Sequence, residues 1–158
     1  MTDTVDTEAQ PPPDGDRTDD ETNVVVTTTT SAPPVQVWDV IVSQTGSWWG
    51  EPYLGPEAGT MRIQPELGGK VFNGRDVATG TLHGTVRAFD PPERLEIGGV
   101  LVPGAYAGGI TITVEKTKLG SEIRVEQMAR GRIAADVEDR IAHGWTQMAS
   151  TLAELAES

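Results

Sequence analysis

Along residues 133–156 the apolar side chains Val137, Ile141, Trp145, Met148, Leu152 and Leu155 follow one another at steps of four, four, three, four and three. That spacing lays one apolar stripe along a helix of about 30–35 Å, and such a stripe needs a surface to cover. The surface is predicted upstream, where the period drops to two. Met61 and Ile63 alternate with Arg62 and Gln64. Leu82, Gly84, Val86 and Ala88 alternate with Thr81, His83, Thr85 and Arg87, and Leu95 and Ile97 continue the pattern. Ile110, Ile112 and Val114 alternate with polar partners, as do Ile123 and Val125. This is the pattern of an antiparallel sheet with one dry face and one wet face, the dry face meeting the helix.

Before these strands, Val24 to Thr30 is a run of seven β-branched residues that favours a first strand beginning at Asn23. Ser31-Ala32-Pro33-Pro34 stops it and starts a helix over 33–43, whose apolar face is Val35, Trp38, Ile41 and Val42. Residues 44–59 are rich in Gly and Pro yet hold Trp48, Trp49, Tyr53 and Leu54, aromatic and apolar groups that belong over something apolar. A short second helix near Trp48 is weakly signalled. The parity of Lys70 to Asn73 stays open, and the glycine-rich residues 98–109 read as a loop or a distorted strand pair.

Composition narrows the picture. The net charge of −12 argues against sequence-independent binding to nucleic acid or anionic lipid. Residues 1–22 hold eight acidic residues against Arg17, and so carry −7 of that charge, with Pro11-Pro12-Pro13 among them. Such a segment buries too little to offset its ordering entropy, so 1–22 is expected to be a disordered acidic tail and 23–158 the folded domain. No cysteine is present, which removes disulfides, thiolate metal sites and a cysteine nucleophile. The start lacks a signal-peptide pattern, no apolar run reaches about 20 residues, and a cytoplasmic protein without membrane insertion is expected.

The order strand, helix, short helix, run of strands, long helix resembles the START-like, or Bet v 1-like (SRPBCC), helix-grip superfamily. One branch is similar in detail, on Ser31-Ala32-Pro33-Pro34-Val35-Gln36-Val37-Trp38, Trp48-Trp49-Gly50, Glu66-Leu67-Gly68-Gly69-Lys70, Gly84-Thr85-Val86, Asp90-Pro91-Pro92-Glu93-Arg94-Leu95, and Gly144-Trp145 followed by Met148 and Leu152. That branch is named for similarity to the C-terminal domain of the activator of the 90-kDa heat-shock protein ATPase, and the resemblance spans about 24–157. It implies an α+β fold: a curved antiparallel sheet of about seven strands wrapped on the long C-terminal helix, with two short helices after strand 1. It also implies a cavity between sheet and helix, in which many superfamily members hold apolar molecules.

Catalysis finds little support in the residues. His83 sits on the polar parity of its strand, and His143 lies opposite the helix stripe, four residues from Asp139. No nucleophile elbow, zinc-binding helix or phosphate loop occurs, and neither a metal nor another cofactor is expected. The leading expectation is therefore non-enzymatic binding of a small apolar or aromatic molecule, lined by Trp48, Trp49, Met61, Ile63, Leu82, Tyr106, Gln127, Trp145 and Met148. For any one of the apolar members, simple core packing competes with ligand contact. Gln127 is more diagnostic: it shares the parity of Ile123 and Val125, and an inward amide needs a partner. The alternatives are a polyketide cyclase, aromatase or hydrolase using the same cavity, or a protein associated with a chaperone or regulator.

Overall fold

The computed structural model describes residues 20–49, 61–76, 78–99 and 101–158. Strand β1 (Asp20–Thr30) is followed by α1 (Pro34–Ser43), α2 (Thr45–Trp48), β2 (Met61–Ile63), β3 (Lys70–Asp76) and β4 (Thr79–Asp90). Then come β5 (Arg94–Gly98), β6 (Ala105–Lys116), β7 (Ser121–Gly131) and α3 (Val137–Glu157). The seven strands make one sheet in the order β1-β7-β6-β5-β4-β3-β2, every pair antiparallel. With α3 against the sheet, this is the α+β helix-grip architecture expected. Tyr53 and Leu54 lie outside the described residues, as do residues 1–19.

The stripe on α3 is real. Val137, Ile141, Trp145, Met148 and Leu152 are buried and Leu155 is half-buried, with Gly144, Ala149, Ala153 and Ala156 filling the rows between them. The helix starts at Val137, four residues later than its apolar pattern, because residues 134–136 form a turn in which Val137 N–H bonds to Ala134 O. Glu138 and Asp139 in the first turn suit the positive end of the helix dipole.

Strand β1 starts earlier than its β-branched run, at Asp20. Asp20, Glu21 and Thr22 pair with Gly131, Arg130 and Ala129 of β7. Thr22 is buried, and its hydroxyl donates to Glu138 Oε1 at 2.6 Å. Residues 20–22 therefore belong to the sheet, against the expected boundary at 23, because a ladder partner outweighs their acidic composition. At the far end of β1, Thr30 Oγ1 donates to Ala153 O at 3.1 Å and to Glu157 Oε2 at 3.0 Å. Ser31 N–H also donates to Glu157 Oε2, at 2.9 Å. These bonds clasp β1 to α3 at both ends and set the two elements running in the same direction. They also hold the Glu157 carboxyl below its usual range, the Ser31 N–H contributing most and the Thr30 hydroxyl next.

Strand β7 keeps perfect alternation, with Ser121, Ile123, Val125, Gln127 and Ala129 all inward. Strand β4 does not. Its register against β3 slips between Gly84, opposite Val71, and Leu82, opposite Phe72. It slips again against β5 between Val86, opposite Ile97, and Ala88, opposite Glu96. Each bulge inserts one residue and exchanges the faces beyond it. Leu82 is thereby turned out of the core face and Phe89, not Ala88, turned in, where it meets Trp38 edge-on at 5.6 Å. Within the glycine-rich span, Gly98 ends β5 and pairs with Gly109, residues 101–104 are outside any strand, and a further shift lies between Ala105 and Ala107 of β6.

Candidate functional site

Three tryptophans come together where α2 and α3 meet over the dry face. Trp48 and Trp49 stack with ring centroids 5.4 Å apart, and Trp145 meets them at 6.1 and 5.7 Å. All three are buried. The four-residue α2 ends on Trp48, and Trp49 caps it. Thr45 Oγ1 donates to Ile41 O at 2.8 Å at the junction with α1, and the Trp48 indole N–H is shared between Val40 O and Ile41 O at 3.3 Å each. Beneath them, Trp145 Nε1–H donates to Gln127 Oε1 at 2.5 Å. The inward amide thus has a protein partner for its oxygen. Its Nε2 has no hydrogen-bond acceptor among the described residues, although Gln127 is only 3 % exposed.

Met148 and Trp48 line a cleft between α2 and α3 that runs on past Gln147, Thr151 and Glu154. Met61 and Ile63 are buried on β2 and form the apolar floor of a second cleft, of about 680 Å³, whose other wall is the α1–α2 junction from Val42 to Ser47. Seven of the nine expected lining residues are therefore buried on the dry side, and four of them, Trp48, Trp49, Trp145 and Gln127, touch in one cluster. Leu82 and Tyr106 do not join them. Leu82 is 57 % exposed because of the first β4 bulge, and Tyr106, in the shifted stretch of β6, is 59 % exposed. Neither can line a space between α3 and the sheet.

The bulge that expels Leu82 brings in His83. Its Nε2 lies 2.8 Å from Oδ1 of Asn73, a buried residue paired with Met61 across β2 and β3. With an amide oxygen as acceptor, the neutral ring carries its proton on Nε2 and is unprotonated at Nδ1. Burial pushes the pKa of His83 below its ordinary 6.5. His83 was expected in solvent on alternation alone, and the only available signal for its real position was the unsettled parity of Lys70 to Asn73. His143 is exposed on α3, as its phase requires.

A depressed histidine pKa has a defined linkage. The unfolded chain binds this proton more readily than the folded one, so stability is complete above 6.5 and falls as pH drops through the lowered folded value. The urea midpoint of the wild type is expected to fall across that window. In His83→Gln that component of the slope is expected to vanish, and an unchanged slope would contradict the placement.

Among the described residues, no three His, Cys, Asp or Glu side chains come together as a metal ligand set, and no helix is long and apolar enough to cross a membrane. A family model described as "Activator of Hsp90 ATPase homolog 1-like protein" matches residues 31–157. The chain belongs to this family. The Activator of Hsp90 ATPase homolog 1-like match takes in everything from the end of β1 to the last residue of α3, and so includes the tryptophan cluster and Gln127. Solved structures agree on the START-like fold. Protein CV1439 of Chromobacterium violaceum superposes with a TM-score of 0.62 at 20 % identity, over 87 % of this chain and 99 % of its own. An uncharacterised Rhizobium leguminosarum protein gives 0.66 at 16 %, over 88 % and 96 %. DynU16, a protein of the dynemicin biosynthetic locus, gives 0.64 at 18 %, over 86 % of this chain and 47 % of its own. No curated protein matches.

Proposed function

We propose that this member of the family is a non-enzymatic binding module for a small, mostly apolar or aromatic molecule that carries an acceptor oxygen. The observation that supports it is the half-satisfied Gln127 carboxamide. A buried N–H group without an acceptor costs about 1–3 kcal/mol, and a ligand carbonyl or hydroxyl beside the tryptophans would recover that cost. Apolar walls with one or two fixed polar groups are the usual make-up of a small-molecule site. The cleft between α2 and α3, lined by Trp48 and Met148, is the approach.

A cyclase or hydrolase reading would require two titratable groups converging on the same space. Among the described residues His83 is the one half-buried histidine, and its oriented nitrogen meets an amide rather than a carboxylate. The binding reading is therefore preferred.

The test is a native mass spectrometry screen of fatty acids, polyketides and aromatic carbonyl compounds against wild type and Gln127→Leu. The wild type is expected to retain a ligand bearing a carbonyl or hydroxyl. The variant is expected to bind it roughly tenfold more weakly, about 1.4 kcal/mol, while binding the matching hydrocarbon equally well. Absence of any ligand, or equal loss for both ligand types, would overturn the proposal.

A further inference from the structure

The face of the sheet turned away from α3 carries a groove of about 580 Å³, independent of the site above. It is bounded by Glu21 and Asn23 of β1, Met128 and Arg130 of β7, Tyr106 of β6 and Arg87 of β4. Its surface is apolar where a sheet facing water is ordinarily polar: Tyr106 and Met128 are more than half exposed, and Val25 beside them is 45 % exposed. Arg87 reaches across β5 over a glycine. A Cβ built on Gly98 would stand 1.9 Å from Nε of Arg87, so only a residue without a side chain lets the guanidinium lie against the strand. That guanidinium has no carboxylate or carbonyl partner among the described residues. Arg130 meets Glu21 at 3.4 Å, with both side chains more than half exposed. Tyrosine, methionine and arginine on one patch are the residue types enriched where proteins bind other chains.

We propose that the occupant of this groove is the chain's own acidic segment, residues 1–19. Three observations converge on it. The first is charge: six carboxylates (Asp3, Asp6, Glu8, Asp14, Asp16 and Asp19) against Arg17 face a groove with two arginines, in a protein of net charge −12. The second is position: the segment joins β1 at Asp20, and the next residue, Glu21, is already part of the groove wall. The third is reach. From β1 across β7 and β6 to β5 is three strand spacings, about 14 Å, which four or five residues of chain can span. On that path residues 17–19 would cross Met128 and Tyr106, and Asp16 would reach Arg87. Carboxylates on a guanidinium make charge-assisted, bidentate hydrogen bonds, which fixes the register of the segment.

The chain contains no cysteine, so a nitroxide spin label on Gln10→Cys reports from one place only. In the full-length labelled protein, amide signals of Gly99, Gly108 and Arg130 are expected to be broadened, and those of exposed α3 residues to be untouched. The broadening is expected to be lost in about 1 M salt, where the Debye length is about 3 Å, and in Arg87→Gln combined with Arg130→Gln. Broadening spread evenly over the surface, centred elsewhere, or insensitive to both salt and the arginine substitutions would overturn the proposal. So would broadening seen only between labelled and isotope-labelled copies in a mixed sample, which would make the occupant a second molecule.

Discussion

Replacing Trp145 with alanine is expected to be the most damaging single change in the domain. The side chain is 1 % exposed and touches both Trp48 and Trp49, and burying-site tryptophan-to-alanine changes cost about 3–5 kcal/mol. That is a large fraction of the roughly 5–15 kcal/mol that holds a domain together, and the variant is expected to be poorly folded. Trp145→Phe is the more informative change. It keeps most of the ring contact but removes the N–H that serves Gln127 Oε1, leaving the carboxamide without a partner among the described residues, at a cost of about 1–3 kcal/mol beyond packing. Combining Trp145→Phe with Gln127→Leu removes both halves of the polar pair, and the double variant is expected to be more stable than the sum of the two single losses. Urea denaturation of the four proteins measures this directly. Strict additivity would mean that the indole–amide bond contributes nothing.

The second large effect is a contrast between two leucines. Leu152 is fully buried on the α3 stripe, and Leu152→Ala is expected to cost about 2–5 kcal/mol through lost transfer energy and the cavity left behind. Leu82 carries the same side chain at a position that strict alternation assigns to the core. The register slip against Phe72 turns it outward, so Leu82→Ala is expected to change stability by about 0.5 kcal/mol or less. Denaturation midpoints of the two variants compare them on one scale. A loss of about 2 kcal/mol or more in Leu82→Ala would mean that β4 runs without its bulge and that alternation had been the right guide.

That contrast marks where reading the chain succeeds. Residues on α3 and β7 were placed correctly because each element obeys one period from end to end, so a single phase assigns every side chain. Gln127 could be recognised as an inward amide for that reason. Its partner could not, because the bond to Trp145 joins elements 18 residues apart in sequence and depends on how α3 is rotated over the sheet. On β4 the period-two rule failed, and with it the placing of Leu82, Ala88 and His83. A bulge leaves no mark in composition: it is decided by which residues of the neighbouring strands find hydrogen-bond partners. The Asn73–His83 pair exists only because of that slip.

The sequence by itself determined the kind of fold: one long striped helix, strands with a dry face, the break at Pro33-Pro34, and the gathering of acid before β1. It did so because helical and strand periodicities are local and each records which side of an element is dry. Tertiary structure alone decided three further things. It extended β1 back to Asp20 through its ladder with β7 and its bond to Glu138. It gathered three tryptophans, one of which, Trp145, takes the Gln127 amide oxygen, and left Nε2 without an acceptor among the described residues. It also moved Tyr106 and Leu82 from the expected cavity to the outer face, where Tyr106 shares a groove with Arg87. Each of these depends on a partner distant in the chain, and no local pattern encodes the register or rotation at which two distant segments meet.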